Sequence, residues 1–305
     1  MDMLKKFAEH VEAHLNSAVH RRKRLSSLSW GKRLLTAPNM FATTVQCSLL
    51  RHMNLDRKSS CTTFWGKKFN VILPEVVSSE ILRFGYLEEA VARAFVKFLS
   101  PGDTVIDVGG HIGFFSSLAL DLVGPNGQVH TFEPVPTTFA CLKRNCFEEN
   151  AYLNNAAVWC ENTELEINDY GTSFSAFNSV RDARLPRIKQ PKSNSVKVKA
   201  ITIDDYCNDK KIKPSFVKVD AESAEKEVLQ GMTNTLKNHQ PIICIEVGDL
   251  GVDHTARSKE IIEFIMNFSY DSYEWRENSF KKHKVRNDYK HSNILMLPKN
   301  KSYTL

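Results

Sequence analysis

The sequence predicts an α/β architecture: a mostly parallel sheet with helices on both faces and an antiparallel hairpin at one edge. Three observations carry this. From Thr104 to Phe268 short apolar segments alternate with amphipathic ones, the pattern of parallel strands covered by helices. The first segment runs into "VIDVGGHIGFF", Val105 to Phe115. That acid and glycine turn stand where open parallel sheets bind ligands, beyond the carboxyl ends of the strands. The chain then closes on "SYEW" and "SNILMLP", two strands with no helix of their own, which suggests the edge hairpin.

A chain of 305 residues is long enough for a main domain plus an appendage. The division is a basic N-terminal extension, 1–65, and a main domain, 66–305. Residues 1–70 hold 13 Lys+Arg against 4 Asp+Glu, and the rest hold 28 against 31, so the formal charge of +6 resides in the arm. Its densest run is "HRRKR", His20 to Arg24. A solvated arm is the plain reading; anionic lipid, nucleic acid or an acidic partner are the sharper ones. Leu4, Phe7, Ala8, Val11 and Leu15 share one face at helical spacing, opposite Lys5, Lys6, Glu9 and Glu12. The mixed sign of that polar face favours packing, on the main domain or as a homo-oligomer, over a membrane surface. Beyond this helix the arm shows no period, and "LTAPN" and "DRKSSCTT" read as loops.

No apolar run approaches a membrane span and no secretory signal is evident. The seven cysteines include no CxxC pair. Reduced thiols and a cytoplasmic location are the expectation.

Within the main domain "KFNVILPE" is a strand stopped by Pro74, and Leu87 to Leu99 a helix ended by "SPGD". "TVIDV", "QVHTFEP", "YLNNAAVW", "SFVKVD" and "PIICIEV" are strands. "IGFFSSLALDLV", "TTFACLKRNCFEEN", "EKEVLQGM" (capped by Gly231) and "SKEIIEFIMNF" are helices. "ELEIND" and "SNSVKVKAITIDDY" are additional β segments, and the polar stretch from Asn168 to Asn194 is long enough to be functional or mobile.

Asp107 ends the first central strand; Gly109, Gly110 and Gly113 let backbone approach a bulky ligand. Glu133 ends the second strand, 26 residues on, where a carboxylate accepts hydrogen bonds from both hydroxyls of a ribose. The alternative is a tight turn and a capping acid. A dinucleotide fingerprint needs a middle glycine where His111 stands, and a carboxylate beside the turn repels a pyrophosphate. The cationic S-adenosylmethionine suits Asp107 better. An NAD-dependent oxidoreductase is therefore the weaker alternative.

The stretches "GDTVIDVGGHIGFFS", "VHTFEPVPTTFACLKRN", "NNAAVW", "VKVKAITIDDY", "SFVKVDAESAEKEVLQGM", "PIICIEV" and "SNILMLP" together resemble the FkbM family of S-adenosylmethionine-dependent methyltransferases, over about Phe69 to Pro298. The resemblance implies a Rossmann-like class I methyltransferase fold with a seven-stranded sheet. It also implies a cofactor site that takes in His111, Pro134, Asn155 and Ala156, and a hydroxyl acceptor on a sugar, glycan or related natural product. Where the family has an asparagine in the glycine turn, this chain has His111. Its glycine after the second motif's acid is Ser223 here.

A hydroxyl needs its proton removed before it attacks a methyl sulfonium. Asp220, Glu222 and Glu225 in "VKVDAESAE", and Glu246 and Asp249 in "IICIEVGD", lie at the ends of two strands. Either Asp220 is a general base with a raised pKa, the favoured reading, or Asp220, Glu222 and Glu246 share a Mg2+ ion. Glu225 is equally well read as a helix N-terminal acid. Lys218 pairs with a carboxylate or lies at the surface. His111 and His254 are weaker base candidates, and Tyr86, Glu88 and Glu89 could cover the pocket. A non-catalytic nucleoside-binding protein and a nucleic-acid methyltransferase are further alternatives; the intact carboxylates and the slightly acidic main domain count against them.

Overall fold

The computed structural model describes residues 2–180, 193–249 and 256–305. Three helices open the chain, α1 (Asp2–Ser27), α2 (Trp30–Thr36) and α3 (Pro38–Met53), followed by the hairpin β1 (Arg57–Thr62) and β2 (Lys68–Leu73). Then come α4 (Val76–Phe84), α5 (Glu89–Phe98), β3 (Thr104–Val108), α6 (Phe114–Val123), β4 (Gln128–Phe132), α7 (Pro136–Asn145), β5 (Ala151–Asn154), β6 (Ala157–Val158) and β7 (Thr163–Asp169). After a 3-10 turn at Thr172–Phe177 follow β8 (Asn194–Ile201), α8 (Ile203–Lys210), β9 (Phe216–Val219), α9 (Glu225–Gln230), α10 (Thr233–Asn238) and β10 (Ile242–Val247). The chain ends with α11 (Ser258–Met266), β11 (Tyr270–Arg276), β12 (Ser279–Lys282) and β13 (Ser292–Pro298).

The main sheet has the order β12-β11-β13-β10-β9-β3-β4-β5. From β10 to β5 neighbours are parallel, and β13, β11 and β12 are antiparallel. The α/β class and the parallel centre are as the sequence predicts. The sheet has eight strands rather than seven, because "SFKK" forms β12. This short segment turns only Phe280 inward and exposes both lysines, the habit of an edge strand. The edge hairpin is β11–β12, and β13 inserts between β10 and β11. "YLNNAAVW" is divided: β5 completes the main sheet, while β6 joins a small sheet of order β6-β8-β7.

Each central strand alternates between two cores. Val105, Phe216 and Cys244 face the helices of the N-terminal half, while Ile106, Val217, Val219 and Ile245 face the other side. Parity places Asp107 and Lys218 on the same side as Val105 and Phe216. Register puts Asp107 beside Lys218 and Lys218 beside Cys244. From β3 the chain passes to β4 on one side, and β9 lies on the other, so the order switches at the carboxyl ends of β3 and β9. In open sheets that is the ligand-binding crevice.

The arm is more ordered than its sequence suggests. The face of α1 that includes Val11, Leu15 and Val19 is buried in the core formed with α4, α5 and α6, so its apolar stripe packs within the chain. "RKSSCT", expected as a loop, is β1 and pairs antiparallel with β2. Helices α2 and α3 were missed in the sequence: α2 is only seven residues long and buries nothing, and α3 buries only Cys47 and Leu50, its every-fourth-residue apolar stripe being largely exposed. All seven cysteines are free thiols. No helix among the described residues is long and apolar enough to cross a membrane.

Leu15 is fully buried, so Leu15→Ala should lower unfolding free energy by about 2–4 kcal/mol, measured by urea denaturation. A loss below about 0.5 kcal/mol, the range of surface substitutions, would show that α1 is only loosely attached.

Candidate functional site

Helix α6 cannot start until β3 has turned through Gly109 to Gly113. Gly109 has φ 75°, and a Cβ there would lie 1.8 Å from the Asp220 carbonyl oxygen. A Cβ on Gly110 would lie 2.1 Å from Thr131 Cγ2. These glycines therefore admit neighbouring protein as well as lining the cavity at the switch point. Gly113 sits behind the turn, against Leu142, Cys146 and Asn145.

Asp107 is completely buried and does not line that cavity. Ser116 Oγ donates to its Oδ2 at 2.6 Å, and Thr131 Oγ1 donates to Ser116 Oγ at 2.9 Å. Its Oδ1 has no hydrogen-bond donor and faces Lys218 Nζ at 3.5 Å. Lys218, 3% exposed, also lies 3.1 Å from Asp220 Oδ2 and donates to the Gly109 carbonyl at 3.4 Å. Burial alone would favour loss of its charge, but Asp220, Asp107 and Glu88 outweigh burial and hold its pKa above the ordinary lysine value. Of the two readings for Lys218, pairing with carboxylates holds.

Glu133 turns its carboxylate back under the glycine turn. Its Oε2 accepts from His111 N and its Oε1 from Val135 N, both at 3.0 Å. Burial pushes its pKa up to about 7 against the pull of these two bonds. Asn155 Nδ2 donates to the carbonyls of Glu133 and Pro134 at 2.9 and 2.8 Å, so it braces the cavity wall. Glu133, Pro134 and Ala156 line the cavity. His111, at φ 49°, lines it too; its Nε2 is 3.0 Å from Ser175 Oγ, and burial lowers its pKa.

Three carboxylates converge on the wall of the same cavity. Oxygens of Glu88, Asp220 and Glu246 lie within 4.8 Å of one another. Glu222 lines the same cavity on the turn after β9, at φ 46°, but the third acid beside Asp220 and Glu246 is Glu88. It lies in the link before α5 at φ 39°, and Asn293 Nδ2 donates to its Oε2 at 3.1 Å. Burial, then Asp220 and Glu246, raise its pKa from 4.5 to about 8. His291 Nδ1 is 3.3 Å from Glu246 Oε1, and that bond lifts the imidazole to about 9. The doublet Glu88–Glu89 hinted at a pocket role; His291 gave no signal, because only the insertion of β13 beside β10 brings it here.

The remaining acids are structural. Glu225 Oε1 accepts from Ala221 N and Ser223 N, fixing the turn. Asp249 accepts from Ser258 N and Tyr289 N. Glu89 pairs with Arg93 and Lys23. Tyr86 is buried. His254 lies outside the described residues, as does the 181–192 part of the long polar stretch.

Residues 107–279 match the family described as "Methyltransferase FkbM domain". With that span over this geometry, the chain belongs to the FkbM methyltransferase family. It is 30% identical over 177 residues to a hexuronic acid methyltransferase, AglP, of Haloferax volcanii, across 58% of this chain and 68% of the relative. It is also 42% identical over 66 residues to the 31-O-demethyl-FK506 methyltransferase FkbM of Streptomyces tacrolimicus, 21% of this chain and 25% of the relative. Among solved structures it resembles a methyltransferase FkbM of Methylobacillus flagellatus, with a TM-score of 0.42 at 14% identity, covering 65% of this chain and 44% of that one. The oxidoreductase alternative falls with the family assignment.

Between 4.5 and about 8 the folded chain keeps the Glu88 proton that the unfolded chain releases. Stability therefore falls as pH rises through that window. Glu88→Gln should match the wild type in Tm at pH ~5 and exceed it by about 2–4 °C at pH ~8.5. Equal Tm at both pH values would show that Glu88 is not the protonated member of the trio.

Proposed function

We propose that this FkbM-family methyltransferase uses S-adenosylmethionine and methylates a hydroxyl of a sugar, glycan or related natural product. The observation that carries this reading is that a buried ribose-type acid, Glu133, and a carboxylate trio line one cavity. The residues present fit such a donor. Each Glu133 oxygen accepts one backbone N–H and keeps a lone pair for a hydroxyl. Phe132, Val135 and Val158 give apolar walls for a base. The trio gives negative charge for an ammonium and a sulfonium. The bound donor would supply an electrophilic methyl group. The sugar acceptor is supported by one relative alone, the hexuronic acid methyltransferase.

In this reading Asp220 takes the acceptor's proton, with Glu246 and Glu222 orienting the hydroxyl. Lys218 fixes Asp220 in place through its 3.1 Å contact. Glu88 holds a proton at neutral pH, which reduces repulsion in the trio. The alternative, a Mg2+ ion on these carboxylates, is weaker. Glu222, one of the three ligands that reading needs, is not in the group formed by Glu88, Asp220 and Glu246, and Lys218 already holds Asp220 Oδ2. Turnover in the presence of a chelator should match that in its absence.

Two variants test the assignment. Glu133→Ala should weaken binding of S-adenosylmethionine and of its demethylated product at least ~10-fold by calorimetry, the worth of about one charged hydrogen bond. Asp220→Asn should bind the donor normally and lower turnover about 10²–10⁴-fold on a responsive glycan. Normal donor affinity in Glu133→Ala would displace the ribose from Glu133. Full turnover in Asp220→Asn would displace the base. Because the Glu133 carboxylate must be ionised to accept two hydroxyls, donor affinity should fall as pH drops below about 7. A flat profile from pH ~6 to ~8 would remove Glu133 from that role.

A further inference from the structure

From Ala13 to Leu55 the chain contains no Asp or Glu, yet it carries Arg21, Arg22, Lys23, Arg24, Lys32, Arg33 and Arg51. The same stretch exposes Trp30 (68%), Leu35 (84%), Val45 (42%), Leu49 (54%), Met53 (53%) and Leu55 (53%). Only three other large apolar side chains among the described residues are so exposed. Phe41, Val45, Leu49 and Met53 recur every fourth residue along α3, so they form one stripe. They line an open apolar groove ending at Arg57. On its other side Phe41 meets Trp30 edge-on at 5.6 Å, and both border a hollow that also holds Arg33, Arg83 and the Arg22–Glu80 ion pair, a net excess of cations.

We propose that α2 and α3 dock this surface onto an anionic lipid bilayer, the stripe entering the headgroup boundary and the basic residues meeting lipid phosphates. Exposed aliphatic and aromatic side chains amid cations are the composition of an interfacial helix, and each surface Lys or Arg adds attraction to an anionic leaflet. A second copy fits poorly, because a two-fold contact sets the same patch against itself and brings like charges together. Nucleic acid fits poorly too: five of the six exposed side chains are aliphatic or thioether groups with no ring for a base to stack on. Helix α1 does not compete for this role, since its apolar stripe is buried in the core.

The test is co-sedimentation of the full chain with phosphatidylcholine vesicles, with and without a third of phosphatidylglycerol. Binding should be at least about 10-fold stronger to the anionic vesicles and fall sharply between about 0.1 and 0.5 M salt. Brominated lipid should quench the wild type more than Trp30→Phe. Leu35→Glu/Leu49→Glu should lose vesicle binding with its melting transition unchanged. Should that variant unfold, Arg24→Glu/Lys32→Glu, altered only at exposed positions, should weaken anionic-vesicle binding about 10-fold or more. Equal affinity for both vesicle types, no binding to either, or a vesicle-free dimer that Leu49→Glu dissolves would each overturn the proposal.

Discussion

The structure of the site depends on one buried ammonium. Lys218 stands in register beside Asp107 and two residues before Asp220, with its charge 3.5 and 3.1 Å from their carboxylates. Losing the Lys218 charge would leave Asp107 ionised in the interior with no cation beside it, which is far more costly than the pair is stabilising. The ends of β3 and β9 are thus locked to each other, and the Gly109 carbonyl is drawn into the same contact. Everything that lines the cavity is placed relative to that lock. The glycine turn leaves β3 beside it, Glu133 hangs from the turn through His111 N, and Asp220 presents its carboxylate from the other side.

Charge in the carboxylate trio is arranged by a second cation. His291 reaches Glu246 from the link before β13, and Glu88 enters from the link before α5. Neither link belongs to the parallel strands. The parallel centre supplies a scaffold with acids at its strand ends, and the peripheral segments decide how those acids are protonated. This division follows fold physics: strand ends are fixed by ladders, while the loops around them carry the variable chemistry.

Much of this was legible in the sequence. The short apolar runs "TVIDV", "SFVKVD" and "PIICIEV" set between amphipathic segments marked the central strands, which are buried on both faces. Glycine spacing located the turn. What escaped was set by contacts with no local trace. "SFKK" becomes a strand only because β11 offers it an edge, and α3 becomes a helix with just two buried side chains. His291 is drawn in by the antiparallel insertion of β13. Asp107 was legible as a site acid, yet it sits one layer behind the cavity wall, because parity specifies a face and not a depth.

The turn after β9 has one more consequence. Glu222 and Ser223 are consecutive non-glycine residues with φ of 46° and 79°, each a conformation that costs an L-residue about 1–2 kcal/mol. Glycine would adopt it without that cost but would also wander among other shapes. A non-glycine residue at 223, whose backbone N–H donates to Glu225 Oε1, trades thermodynamic ease for a narrowed repertoire. Glu222, which this turn presents to the cavity, is thereby held to few positions.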